Sequence, residues 1–285
     1  MADNKNQVNK STLYLVGTPI GNLSDITERA KKVLTEVDFI AAEDTRVSLK
    51  LLNCYGIKKE LVSYFEHNKK ASGDRIIARL LSGESCALIT DCGMPAISDP
   101  GEDIVRLCAE NGITVSVIPG PCAAVSALAA SGLATRKFTF EGFLPAKITE
   151  KTRELEALSS EWRTMIFYEA PHKLLSTLSA MKKAFGGERK ITLAREITKL
   201  NEEFIRTTLE EAEKLFTEKE PRGEFVLIVE GKEKTEADES LLSLSIPEHI
   251  ELYLYEGLDK KEAIKKVAKD RGVSKSEIYK YTVND

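Results

Sequence analysis

Short apolar runs alternate along the chain with longer amphipathic stretches, from TLYLV at residues 12 to 16 to FVLIV at 225 to 229. Runs this short, bounded by Gly, Pro, Asn or Asp, fit buried strands. The stretches between them carry apolar residues at three- and four-residue spacing, the period of a helix with one face in a core. The pattern predicts strands over 12–16, 39–42, 61–64, 86–90, 114–118, 164–168, 191–194 and 224–229. Helices are expected near Val47, Arg75, Glu102, Ala123, Thr149, His172 and Glu210, and one from Asp25, where Asp25-Ile-Thr-Glu28 has capping-box spacing. Strand and helix in regular alternation imply an α/β fold with much parallel sheet.

The texture changes between Ser131 and Lys151, where Gly132, Gly142 and Pro145 interrupt the periodicity. This divides the chain into a polar tail expected to be disordered (1–10), a first α/β domain (11–131), a second α/β domain (132–231), a linker (232–244) and a helical C-terminal domain (245–285). In the last, Ala263, Ile264, Val267 and Ala268 mark one helix. A Gly272-Val273 turn follows, and Ser274-Lys-Ser-Glu277 caps another, the outline of a helix-turn-helix.

Composition narrows the class. With 42% hydrophobic and 30% charged residues in 285, the chain suits a globular protein. No apolar run nears the roughly 20 residues of a membrane span, and MADNKNQVNKS lacks a signal-peptide core, so a cytoplasmic protein without membrane attachment is expected. Five cysteines with no C-x-x-C pair read as reduced thiols, and no metal is expected. The net charge of −4 announces no polyanionic partner, but residues 257 to 285 hold eight Lys or Arg against five Asp or Glu, a local basic bias.

In parallel α/β sheets ligands gather beyond the carboxyl ends of the strands. Three such ends run into Gly/Pro loops: Gly17-Thr-Pro-Ile-Gly-Asn22, Asp91 through Gly101, and Pro119-Gly-Pro-Cys-Ala-Ala124. Each alone suits an ordinary turn, whereas three on one edge suggest a rigid, backbone-lined pocket. G-x-G-x-x-G and the phosphate loop are both missing, which argues against a dinucleotide or nucleoside triphosphate.

The phrases VGTPIGNLSDIT, AAEDTR, TDCGMPAISDPG, IPGPCAAVSAL, FYEAPHK, LAREITKLNEE and GEFVLIVEG, in this order, resemble the ribosomal small subunit methyltransferase I family of the tetrapyrrole methylase superfold. The resemblance implies two α/β domains with S-adenosylmethionine between them, methylation of a cytidine 2′-oxygen in 16S ribosomal RNA of the small subunit, and a homodimer. It places the cofactor against Pro19, Asp91, Gly93, Ile97, Ser98, Ala123 and Ala124, with Tyr168 and Ala194 from the second domain. Cys92, Met94, Cys122 and Lys173 stand where the family commonly carries Ala, Thr, Ser and Arg, so Cys122 offers no hydroxyl there.

Methyl transfer to a hydroxyl needs in-line positioning and a proton acceptor, and no metal. Glu43, Asp44 and His67 are the catalytic candidates. Arg46, Asn68, Lys69 and Lys199 are the candidate RNA contacts. Bland alternatives stand beside them: Asp44 as a helix cap, Glu43 paired with Arg46, His67 as a surface residue, and Lys199 within a salt-bridged face beside Arg195, Glu196 and Glu203.

Overall fold

The computed structural model describes residues 7–233, 236–271 and 273–281. Its first sheet contains β1 (Thr12–Val16), β2 (Phe39–Ala42), β3 (Glu60–Ser63), β4 (Cys86–Ile89) and β5 (Thr114–Ile118). They lie in the order β3-β2-β4-β1-β5, and every neighbouring pair is parallel. Between and after them run α1 (Glu28–Glu36), α2 (Thr45–Cys54), α3 (Lys69–Leu81), α4 (Gly101–Glu110) and α5 (Ala123–Ser131).

Successive strand residues point to opposite faces, and both faces are covered. Leu13, Leu15, Phe39, Ala41 and Leu88 join Ile76 and Leu80 of α3 and Ile104 of α4 in one core. Tyr14, Val16, Ile40, Ala42 and Ile89 join Ala30, Val33 and Leu34 of α1 and Leu52 of α2 in the other. This double burial is why the strands read as unbroken apolar runs.

The second sheet is formed by β6 (Phe138–Phe143), β7 (Thr164–Glu169), β8 (Lys190–Arg195), β9 (Glu203–Thr208) and β10 (Phe225–Val229), ordered β6-β7-β10-β8-β9. α6 (Ile148–Ala157), α7 (Pro171–Phe185) and α8 (Leu209–Glu218) accompany it. The chain then forms α9 (Glu236–Ser243), α10 (Ile246–Tyr255), α11 (Lys260–Arg271) and α12 (Lys275–Tyr279). Residues cluster into two compact units, one of Met1–Ala130, Ala194–Phe204 and Glu224–Val226, the other of Ser131–Leu193, Ile205–Gly223 and Leu227–Asp285. No helix among the described residues is long and apolar enough to cross a membrane.

Several local expectations need correcting. The first long helix is capped by Thr27, whose hydroxyl accepts from the Ala30 N–H, and not by Asp25. Asp25 instead ends a 3-10 turn opened by Asn22. Of the expected disordered tail, residues 1–6 lie outside the described residues. Residues 8–10 are held in place: Val8 packs on the core, the Asn9 N–H donates to the Tyr14 hydroxyl at 2.7 Å, and the Lys10 carbonyl accepts from the Thr12 hydroxyl. The linker contains α9, since Glu, Ala and Leu in EADESLLS favour a helix.

The tail helices enclose a core of their own, from Ile250 and Tyr253 through Ile264 and Val267 to Ile278. Ser245 opens α10 with a reciprocal capping box to Glu248, and Ser274 caps α12 at the Glu277 N–H. The turn residue Gly272 lies outside the described residues.

Candidate active site

Strand order decides what the first sheet offers at its carboxyl edge. Because β4, β1 and β5 are consecutive neighbours, the three Gly/Pro loops emerge side by side, and the main chain ties them together. The Gly17 N–H donates to the Ile118 carbonyl at 3.2 Å and the Thr18 N–H to the Gly93 carbonyl at 2.9 Å. The buried Thr18 hydroxyl donates to the Thr90 carbonyl at 3.1 Å.

Where the first and third loops meet, neither carries a side chain. A Cβ on Gly17 would lie 2.8 Å from the Gly120 Cα and equally close to the Met94 Sδ; one on Gly120 would lie 3.0 Å from the Gly17 Cα. Only glycine permits this approach. The long loop after β4 bends through left-handed backbone at Gly93 (φ 88°), Ala96 (φ 67°) and Ser98 (φ 60°). For the two non-glycine residues that conformation is strained, and strain of this kind concentrates at ligand-holding loops. Asp99 Oδ1 holds the bend by accepting from the Ala96 N–H at 3.0 Å and the Gly101 N–H at 2.7 Å. Asp91, Ile97 and Ser98 are left exposed, Ala123 half-buried, and Pro19, Gly93 and Ala124 buried.

β2 lies next to β4, so Glu43 and Asp44 arrive beside Asp91. The Asp44 N–H donates to Asp91 Oδ1 at 3.3 Å and the Thr90 hydroxyl to Glu43 Oε2 at 3.0 Å. These neighbours separate the two acids chemically. Burial, ahead of the Thr90 bond that opposes it and of repulsion from Asp91, Asp99 and Asp44, raises the Glu43 carboxyl above its ordinary range. Asp44 accepts from the Arg46 side chain and N–H, caps α2, and is held down at about 2. Arg46, extended into solvent, grips Asp44 through two bonds of 3.1 and 2.8 Å. Burial also raises Asp91 and Asp99.

After β3, Asn68 is engaged in its own turn: its Oδ1 accepts from the Phe65 N–H at 2.8 Å and its Nδ2 donates to the Ser63 carbonyl at 3.2 Å. His67 is exposed, its ring edge-on to Phe65. Lys69 bridges Glu66 and Asp103, both at 2.8 Å.

Lys199 also has partners, Glu196 at 2.9 Å and Glu224 at 2.8 Å. Its loop carries left-handed Glu196 and Thr198 and packs so close to Gly21 that a Cβ there would meet the Lys199 Cγ at 2.5 Å. Leu200, beside them, is 99% exposed. Ala194 is buried in β8.

In the second unit Tyr168 sits near the end of β7, flanked by the rings of Phe140 and Phe143. In the same unit Lys151, Thr177 and Glu169 form a buried chain. The Lys151 ammonium donates to the Thr177 hydroxyl at 2.9 Å, which donates to Glu169 Oε2 at 2.5 Å. Thr18, Thr90 and the Gly17–Gly120 contact escaped the sequence reading. The Gly-Thr-Pro and Pro-Gly-Pro phrases signalled their presence but not their pairing.

A doubly covered parallel sheet with three joined loops at its carboxyl edge defines a class. The model of the Tetrapyrrole (Corrin/Porphyrin) Methylases matches residues 12–213, and the chain belongs to that family. Within it, the chain falls with the proteins called ribosomal RNA small subunit methyltransferase I. The one from Halalkalibacterium halodurans is 52% identical over 272 residues, 95% of this chain and 94% of that protein. The one from Thermotoga maritima is 48% identical over 221 residues, 78% of this chain and 99% of that protein. Among solved structures, uroporphyrin-III C-methyltransferase from Thermus thermophilus, complexed with S-adenosyl homocysteine, shares the fold at a TM-score of 0.55 and 19% identity, covering 77% of this chain and 97% of that one.

Proposed function

We propose that this protein methylates ribosomal RNA of the small subunit, taking the methyl group from S-adenosylmethionine and placing it on the ribose 2′-oxygen of a cytidine in 16S RNA. The 52% identity across nearly the whole of both chains carries the reading. The cytidine and its 2′-oxygen rest on the ordered motifs. The same reading has the enzyme work in the cytoplasm as a homodimer.

The joined loops suit the chemistry of that cofactor. Asp91 presents a carboxylate for hydroxyl or ammonium groups, Ser98 an exposed hydroxyl, and Ile97 exposed apolar surface beside it. Pro19, Ala123 and Ala124 would complete the holding set. When bound, S-adenosylmethionine supplies an electrophilic methyl group. Rigid loops keep the ordering cost of binding small.

Glu43 is the proton acceptor this reading favours. It is half-buried, its carboxyl is raised toward the working range, and it is oriented by Thr90. Asp44, held down by Arg46, is a weak base and serves as a cap. His67 remains the second candidate acceptor. Arg46, Lys69 and Lys199 would contact RNA phosphates by exchanging their present carboxylate partners, and Asn68 by holding the His67 turn.

Purified small subunits incubated with methyl-labelled cofactor test the assignment. Label in a cytidine resistant to alkaline cleavage is expected. Transfer to a tetrapyrrole with none to RNA would overturn it.

A further inference from the structure

We propose that the helical tail is an RNA-docking module in which a stripe of free lysines on α11 takes backbone phosphates of the substrate. It rests on the ribosomal RNA reading above and adds a second contact site to it.

Lys261, Lys265 and Lys269 follow at four-residue intervals along one exposed side of α11. Among the described residues none of the three has a carboxylate within ion-pair distance, although Lys266 nearby reaches Glu256 at 3.9 Å. Three of the tail's acids are engaged elsewhere, and Glu262, exposed in the first turn of α11, makes no ion pair with any of these lysines. Asp259 caps α11 at the Glu262 N–H, Asp270 accepts from the Tyr253 hydroxyl, and Glu248 closes the capping box of α10.

Like charges four residues apart destabilise a helix. A three-lysine stripe therefore works against the element that carries it unless an anion neutralises it. Phosphates spaced along a nucleic-acid strand meet such a row of point charges. Tyr255, 93% exposed at the end of α10, offers a ring on which an unpaired base can stack.

The tail is also an addition to the methylase fold. It has its own core, and the Thermotoga maritima relative is matched over 99% of its length by 78% of this chain. The residues left unmatched outnumber those preceding β1. A module with its own core and an uncompensated basic side fits substrate docking rather than chemistry.

The test compares the full chain with Lys261→Gln/Lys265→Gln/Lys269→Gln and with the three Lys→Arg changes. Each is titrated by anisotropy against a fluorescein-labelled fragment of 16S RNA across a salt series, with circular dichroism to check helix content. Losing three phosphate contacts should lower the slope of log affinity against log salt by about 2, hence about a hundredfold in affinity at 0.1 M salt relative to 1 M. Arginine should restore both. In turnover on small subunits the Gln variant should raise KM more than it lowers kcat. An unchanged slope overturns the proposal, including the case in which affinity for the subunit falls while the RNA slope stays, which would assign the stripe to a protein partner. Wild-type protein that shows the salt-dependent RNA binding without methyl transfer would instead overturn the functional reading and leave the tail assignment standing.

Discussion

Gly120→Ala isolates the junction of the first and third loops. Gly120 is outside the left-handed region, so alanine there costs nothing in backbone conformation; the penalty is steric. Its Cβ would lie 3.0 Å from both the Cα and the carbonyl oxygen of Gly17 and 3.1 Å from the carbonyl carbon, all main-chain atoms with no rotamer to change. Gly17 cannot retreat freely, because its N–H is bonded to Ile118 and the Thr18 N–H to Gly93. Overpacking of this kind costs about 1–3 kcal/mol. At about 2–4 °C per kcal/mol for a protein of this size, the melting temperature should fall by about 2–12 °C. S-adenosylmethionine affinity should fall with it, since the strain is released by parting the loops. Calorimetry on the free protein and titration with the cofactor read the two effects. Gly56→Ala is the control: its Cβ meets nothing within 4 Å but its φ is +68°, so it should lose about 1 kcal/mol of stability and no cofactor affinity. Adding Gly17→Ala to Gly120→Ala should give a non-additive loss, as expected for residues in contact. A Gly120→Ala protein that melts within about 1 °C of wild type and binds cofactor equally would refute the claim that main-chain contact fixes the pocket.

Other outcomes follow from the charged groups. Burial raises Glu43, so its stabilising share is present at low pH and lost as pH rises through the raised value. Glu43→Gln should therefore slow transfer without abolishing it yet raise the melting temperature, more at pH 8 than at pH 4.5; a lower melting temperature at pH 8 would contradict this. Thr90→Val removes the bond that opposes that rise, and the acid limb of the kcat profile should move to higher pH. Thr177→Val leaves Lys151 and Glu169 buried without their bridging hydroxyl, at a cost of about 1–3 kcal/mol per stranded group, measurable by urea unfolding. His249, fully buried in the tail, is pushed down by burial and then by Arg271 and Lys266, against the opposing pull of Asp270. Its stabilising share is present at neutral pH and lost as pH falls below about 6.5, so protection from hydrogen exchange in α10 and α11, corrected for the slower intrinsic exchange at lower pH, should fall there, and His249→Phe should flatten the response.

Eight strands of the two sheets were legible: β1, β2, β4, β7, β8 and β10 because burial on both faces writes them as apolar runs, and the edge strands β3 and β5 by their β-branched and apolar residues between polar turns. The two that were not have physical reasons. β6 shifts register between Phe140 and Gly142, with Gly142 at φ 66°, so its glycine reads as a loop. β9, EFIRTT, is an edge strand whose alternation is diluted by charge. The pocket's loops could be picked out by their Gly and Pro content, and a parallel sheet ensures that they share an edge. That β4, β1 and β5 are adjacent is a tertiary fact with no local trace, and so is the clasp of Glu196 and Glu224 on Lys199. In AAEDTR the expected cap at Asp44 is found, but Arg46, expected on Glu43, grips Asp44 instead, and the Thr90 hydroxyl, remote in sequence, takes Glu43.

The glycine-to-glycine junction has a consequence for how such a site changes over generations. A wall built from main chain stores its shape in very few letters: two residues must stay bare, and a handful of others need only keep the chain's path. Surfaces beside such a wall can change their side chains while the main-chain contact itself stays as it is.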